Sequence, residues 1–176
     1  RTAWEAYEGL PSIGLPRSPV SAFINEWAGV EHGLILLFEQ PELCAALFSL
    51  LEEQEQPILS ACVEREIALL HIPDNLTSEI YTSIFDDYMR ETYIRRLEVL
   101  HRGGIPAAVH LDGTVAGMLP KLAETGIDAV EAVTPLPVGD CSVEAMRDMV
   151  SDRPTILWGG IPGAMFAPPY TWEDMR

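Results

Sequence analysis

The chain has 176 residues, 27 acidic and 11 basic side chains, and a formal net charge of −16. That length suits one domain with a buried core, and 48% hydrophobic residues exclude a disordered chain. The negative charge repels phosphate backbones and anionic headgroups, so neither nucleic acid nor a membrane surface is an expected partner.

The first twenty residues are rich in Pro and Gly and read as irregular. Ser18-Pro19 opens a short helix through Trp27, closed by Gly29, and His32 falls in a glycine-flanked loop. The run from Gly33 to Phe38 is apolar but far too short to cross a bilayer. Residues 41–68 read as one or two long helices with Pro41 in the first turn, an apolar stripe at Leu43, Leu47, Leu50 and Leu51, and a kink or division at Pro57. From residue 69 a strand–loop–helix rhythm repeats four times. The strands are Leu69–Pro73, Ile105–Leu111, Ile127–Val133 and Thr155–Trp158, short apolar runs of the kind buried on both faces of a parallel sheet. Between them come a helix over 83–102 with Ser83 as N-cap, one over 114–125 ending at Gly126, one from Ser142 and a last from Thr171.

This alternation predicts an α/β fold: part of a (β/α)8 TIM barrel, about four β/α units plus an N-terminal helical segment. Residues 1–176 form a single partial barrel domain, and the start at Arg1 without a leader suggests truncation, here expected at both ends. An open barrel exposes strand edges, so a missing barrel half or a second copy is expected to cover them. The competing architecture, an open doubly wound sheet, lacks a glycine-rich phosphate loop after its first strand. Three well-separated cysteines, Cys44, Cys62 and Cys141, argue against a disulfide framework and for a reducing, cytoplasmic compartment.

In parallel β/α folds chemistry gathers at the carboxyl ends of the strands. Those ends hold Asp74 and Asn75; His110, Asp112 and Gly113; Glu131; and Trp158 with Gly159. His110 and Asp112 are two apart on an extended segment and point the same way, so imidazole and carboxylate can converge on one ion or substrate atom. Glu131 on the next strand offers a third N/O ligand or a general acid, and the set suits a catalytic zinc or a metal-free substrate clamp. Two readings stay open: this site, or a structural His110 with Asp112 capping the next helix. Asp74 is a catalytic acid or a turn former. Asn75, Gly113, Trp158 and Gly159 are candidates for substrate contact. His71 and His101 have no obvious partner in the sequence, and the single lysine, Lys121, reads as a solvated helix position.

The stretches Pro73-Asp-Asn75, Leu100-His-Arg-Gly-Gly104, Val109-His-Leu-Asp-Gly113, Leu122 through Glu131 and Trp158-Gly-Gly-Ile161 resemble the uroporphyrinogen decarboxylase superfamily, which includes cobalamin-dependent methyltransferases. The resemblance covers roughly residues 30–165 and implies a (β/α)8 barrel with its site at the strand carboxyl ends. In the methyltransferase branch a zinc ion held by a His-x-Cys pair and a later cysteine activates a thiol. His110 matches that histidine, Glu131 resembles a glutamate of similar zinc sites, and Asp112 stands where the first cysteine would be. The decarboxylase branch uses no metal and holds tetrapyrrole carboxylates with an aspartate and several arginines, which this rim does not match. The resemblance therefore implies methyl transfer linked to a corrinoid protein, with methylcobalamin carried by that partner, a small methyl donor or thiol acceptor as substrate, and His110, Asp112 and Glu131 as zinc ligands. Alternatives are uroporphyrinogen decarboxylase-type decarboxylation in porphyrin biosynthesis and a non-catalytic truncated barrel serving as a binding or assembly module.

Overall fold

A computed structural model describes residues 9–65 and 67–175. Five strands, β1 (Ser12–Gly14), β2 (Leu69–Leu76), β3 (Ala107–Leu111), β4 (Ala129–Val133) and β5 (Ile156–Gly159), form one sheet in the order β1-β2-β3-β4-β5. Every neighbouring pair is parallel. A doubly wound sheet reverses its strand order at a switch point; this order runs monotonically, as a barrel requires.

The helices are α1 (Pro19–Ala22), which runs into a π-helical turn at Phe23–Trp27, α2 (Val30–Glu39), α3 (Pro41–Glu64), α4 (Ser78–Tyr81), α5 (Phe85–Tyr88), α6 (Arg90–Arg102), α7 (Leu119–Glu124) and α8 (Val143–Met149). They cover one face of the sheet. Leu70 and Ile72 of β2, Ala107, Val109 and Leu111 of β3 and Val130 of β4 join the helix side chains in the main core. On the other face Leu69, Ala108 and Ala129 make a separate small cluster. One helical layer outside and a distinct inner face identify part of a (β/α)8 barrel.

The boundaries expected from sequence change in several places. The first strand lies inside the segment read as irregular: its three exposed residues pair with β2, and Leu15 N donates to His71 O at 2.8 Å. Pro57 neither divides nor ends α3, which continues through it to Glu64. The buried positions of α3 are Cys44, Phe48, Glu55 and Leu59, while Leu43 and Leu50 are 68% and 51% exposed. The stripe read from the sequence is thus the flank of the buried face. Ser83 caps nothing; residues 83–102 break into α5 and α6, preceded by α4. Ser18 and Ser142 do cap, accepting from the N–H groups of Ser21 and Ala145. Gly29, at φ 78°, follows the C-cap Ala28 of the stretch that ends at Trp27, as expected, and also serves as the N-cap of α2, on which His32 lies. The helix after β3 begins at Leu119, and among the described residues the stretch from Thr171 holds a 3-10 turn at Glu173–Met175. Among the described residues no single helix is long and apolar enough to cross a membrane.

A buried ion pair joins two of the helices: Glu55 on α3 meets Arg96 on α6, the latter 2% exposed. Arg96 Nε donates to Glu55 Oε2 at 2.9 Å, Nη2 lies 2.6 Å from Oε1 off the hydrogen-bond axis, and Nη1 has no partner. Burial pushes the Glu55 carboxyl above its usual range against the opposing pull of Arg96. The folded state therefore binds this proton more tightly than the unfolded chain. Its contribution is greatest at low pH and declines as pH rises from the ordinary carboxylate pKa through the raised one. Arg96→Met strands a buried carboxylate and is expected to cost about 3 kcal/mol, whereas Glu55→Leu/Arg96→Met recovers most of the loss and abolishes this pH dependence. Denaturant unfolding across pH reads both effects.

The loop between β4 and α8 is tied to the loop that follows β3. Asp140 accepts from Val115 N at 2.9 Å and from Ala116 N, holding the β3–α7 loop. A Cβ at Gly139 would collide with the Thr134 carbonyl. Gly139→Ala must therefore displace that loop and is expected to lower stability by about 2 kcal/mol, measurable as a fall in melting temperature.

Candidate metal centre

Side chains alternate along a strand, so residues two apart share a face. From Leu69, Ala108 and Ala129 on the inner face, one such step toward the carboxyl ends reaches His71, His110 and Glu131. Lateral register sets two of them level and the third one step behind: His110 pairs with Glu131, whereas His71 pairs with Ala108, two residues before His110. One ligand atom from each of the three lies within 4.8 Å of the others. Two imidazoles and a carboxylate project from adjacent strands, each partly shielded from solvent.

The contacts within the group differ in kind. His110 Nδ1 is 2.6 Å from Glu131 Oε2, a hydrogen bond; the same oxygen is 3.6 Å from His71 Nε2. Two ligands of one tetrahedral zinc stand roughly 3.4 Å apart, given bonds near 2.0–2.1 Å. The His71–Glu131 spacing suits a shared ion, and the His110 Nδ1–Glu131 hydrogen bond is one that an ion seated between those two groups would replace; the other ring nitrogen of His110, Nε2, lies on the side away from Glu131. Asp112 Oδ2 is 3.6 Å from that Nε2. His110 is thus held between two carboxylates, and its ring meets that of His71 edge-on with centroids 6.4 Å apart.

His110 and Glu131 are brought together, as the sequence reading expects. Asp112 lies beside His110, half exposed just beyond β3, and is not a member of the three-residue cluster. His71 is the residue that sequence reasoning misses. The signal for it was parity: it sits two residues after Leu69 on the first long strand, as His110 follows Ala108.

Asp74 is not brought to this cluster. It shares the parity of Leu70 and Ile72, is completely buried on the helix side, and accepts from Ser18 N and from Tyr93 OH, both at 2.6 Å. Its carbonyl accepts from Ser21 Oγ at 2.6 Å. Burial, with Asp74 beside it, pushes the Tyr93 phenol well above its usual value, so it stays a donor. These bonds fasten α1 and α6 to β2. Asn75 is exposed in a left-handed conformation, φ 54°. Gly113 turns the chain after Asp112 at φ 62°. Trp158 is level with Glu131 and 52% exposed, and Gly159 follows it.

The remaining candidates lie elsewhere. His101 has a partner after all: Nε2 is 2.8 Å from Asp128 Oδ2, which also accepts from Ala107 N at the amino ends of β3 and β4. Lys121 pairs with Asp86, which Arg90 also contacts at 2.5 Å. Hydrogen bonds from Lys121 and Arg90 hold the Asp86 carboxyl below its usual range. Cys44 and Cys141 are buried, Cys62 is half-buried, and all three are free. Burial raises every one of these thiols, which keeps them protonated and unlike metal-binding thiolates.

No curated protein matches the chain. The family model described as Uroporphyrinogen decarboxylase (URO-D) matches residues 1–171. With its parallel barrel sheet and a polar cluster toward the strand carboxyl ends, the chain belongs to the uroporphyrinogen decarboxylase family.

Proposed function

We propose that the chain carries the site of methyl transfer linked to a corrinoid protein, with His71, His110 and Glu131 as the residues that hold a zinc ion. The observation that supports it is the convergence of those three side chains within 4.8 Å. A His2Glu donor set is that of a catalytic zinc with one position left for substrate. When bound, zinc supplies a Lewis acid for a thiol acceptor or for a methoxyl or amine donor. Without metal, Glu131 orients the His110 ring through its 2.6 Å bond to Nδ1, a bond given up when both groups turn to the ion. Asp112, half exposed and 3.6 Å from His110 Nε2, is placed to accept the proton that an acceptor thiol gives up. Trp158 and Gly159 line the approach beside Glu131. The partner corrinoid protein brings methylcobalamin to this rim.

Decarboxylation is the reading that the family description itself favours. A polycarboxylate substrate needs cations, and among the described loops that follow the strands the basic residue is Arg17. That residue is already engaged by Glu26 at 2.9 Å and by the Pro73 carbonyl. The methyl-transfer reading places no such demand.

Methylcobalamin and a small thiol, followed by the change in corrinoid absorbance, provide the test. Turnover that stops on chelation and returns with zinc is expected. Turnover indifferent to chelation contradicts the zinc role, and carbon dioxide release from a porphyrinogen carboxylate with no methyl transfer replaces this reading with the decarboxylase one.

A further inference from the structure

Glu131 reaches the cluster from a distorted stretch of strand. The next residue, Ala132, has φ 66°, a left-handed conformation that residues with a Cβ rarely adopt. The pairing of β4 with β5 slips here: Glu131 pairs with Trp158, but Val133 pairs with Gly159. Two steps along β4 thus match one along β5, so Ala132 is the extra residue of a β-bulge. The bulge reverses the alternation of faces. Undistorted, Val133 would share the inner face with Glu131; instead it is buried with Val130 in the core on the helix side. Glu131 is thereby the last inward-facing side chain of β4.

Gly159 permits this arrangement. Its φ is 138°, and a Cβ there would stand 3.0 Å from Val133 N and 3.3 Å from Ala132 Cα, backbone atoms that cannot swing aside. The other non-glycine left-handed residue among those described, Asn75, lies in the irregular stretch of β2 between Ile72 and Leu76, four residues after His71. Of the two, Ala132 directly follows a member of the cluster, where bulges serve to re-aim side chains.

We propose that Ala132 and Gly159 are positioning residues for the candidate metal centre: the bulge they form aims the Glu131 carboxylate at His110 and His71 before any ion arrives. The inference rests on the zinc reading, but one of its readouts does not. The metal-free protein should show a downfield NMR signal from the proton shared by His110 Nδ1 and Glu131. In Gly159→Ala the added Cβ forces the bulge open; that signal is expected to vanish and zinc affinity to fall about tenfold or more, with the circular dichroism spectrum retained. Ala132→Val, whose β-branch opposes positive φ, should act in the same way and carries the test if Gly159→Ala does not fold. Ala132→Gly relieves the strain, so it should raise the melting temperature and leave the NMR signal and zinc affinity within about threefold of the parent. Loss of the signal in a chain that binds no zinc sustains the positioning role and overturns only the metal. An unchanged signal in both Gly159→Ala and Ala132→Val overturns the proposal, whatever either change does to stability.

Discussion

His110→Ala is expected to weaken zinc binding by about a hundredfold or more, to the point where purified protein retains none. The residue would offer Nδ1 to the ion and, without metal, anchors Glu131 through the same atom, so one substitution removes a ligand and frees the carboxylate that it orients. The cost to the fold is small by comparison, because the ring lies partly exposed on the inner face, apart from the main core. His71→Ala should weaken binding by tenfold or more through loss of one ligand, while Asp112→Asn should leave affinity within about threefold and act instead on turnover. This ordering separates the cluster seen in the fold from the His110–Asp112–Glu131 set that the sequence suggests. Equilibrium dialysis with zinc, run on the four proteins together, reads it directly. If Asp112→Asn abolished binding and His71→Ala did not, the ligand set would be the one read from sequence.

The second large effect concerns stability. Asp74→Ala removes the acceptor for two buried donors, Ser18 N and Tyr93 OH, and leaves the Tyr93 hydroxyl in the core without a partner. Hydrogen bonds to charged groups are worth about 1.5–3 kcal/mol each, so the variant should lose at least about 3 kcal/mol, a large share of the stability of a domain this size. The anchorage of α1 to β2 is lost with it. Zinc content of whatever remains folded should not change, since Asp74 and the cluster lie on opposite faces of the sheet. Unfolding curves and metal analysis on the same samples check both halves. A variant with full stability but no activity would make Asp74 a catalytic acid.

The fate of Asp74 and His71 shows what the sequence carried and what it did not. Four strands were legible because Leu70 and Ile72, or Ala107, Val109 and Leu111, face a full layer of helices and must be apolar. The first strand was not, because a three-residue edge flanked by prolines buries nothing. Parity along a strand is readable from spacing alone: it joined His110 to Asp112, and it would have put Asp74 with Leu70 and Ile72 against the helices. Lateral register is another matter. Whether His71 stands level with Ala108, and His110 with Glu131, depends on the stagger between strands, which no local pattern encodes. The cluster of His71, His110 and Glu131 is a product of that stagger. Likewise the apolar arc of α3 is wider than the face that is buried, so counting leucines located the helix but misplaced its inner side by one residue.

The measurement that bears most directly on the account is the metal content of freshly purified protein, by inductively coupled plasma mass spectrometry, beside His71→Ala and His110→Ala. The account predicts about one zinc per chain in the parent and little or none in either variant. A parent protein without stoichiometric divalent metal, or one whose zinc survives loss of both histidines, would contradict it.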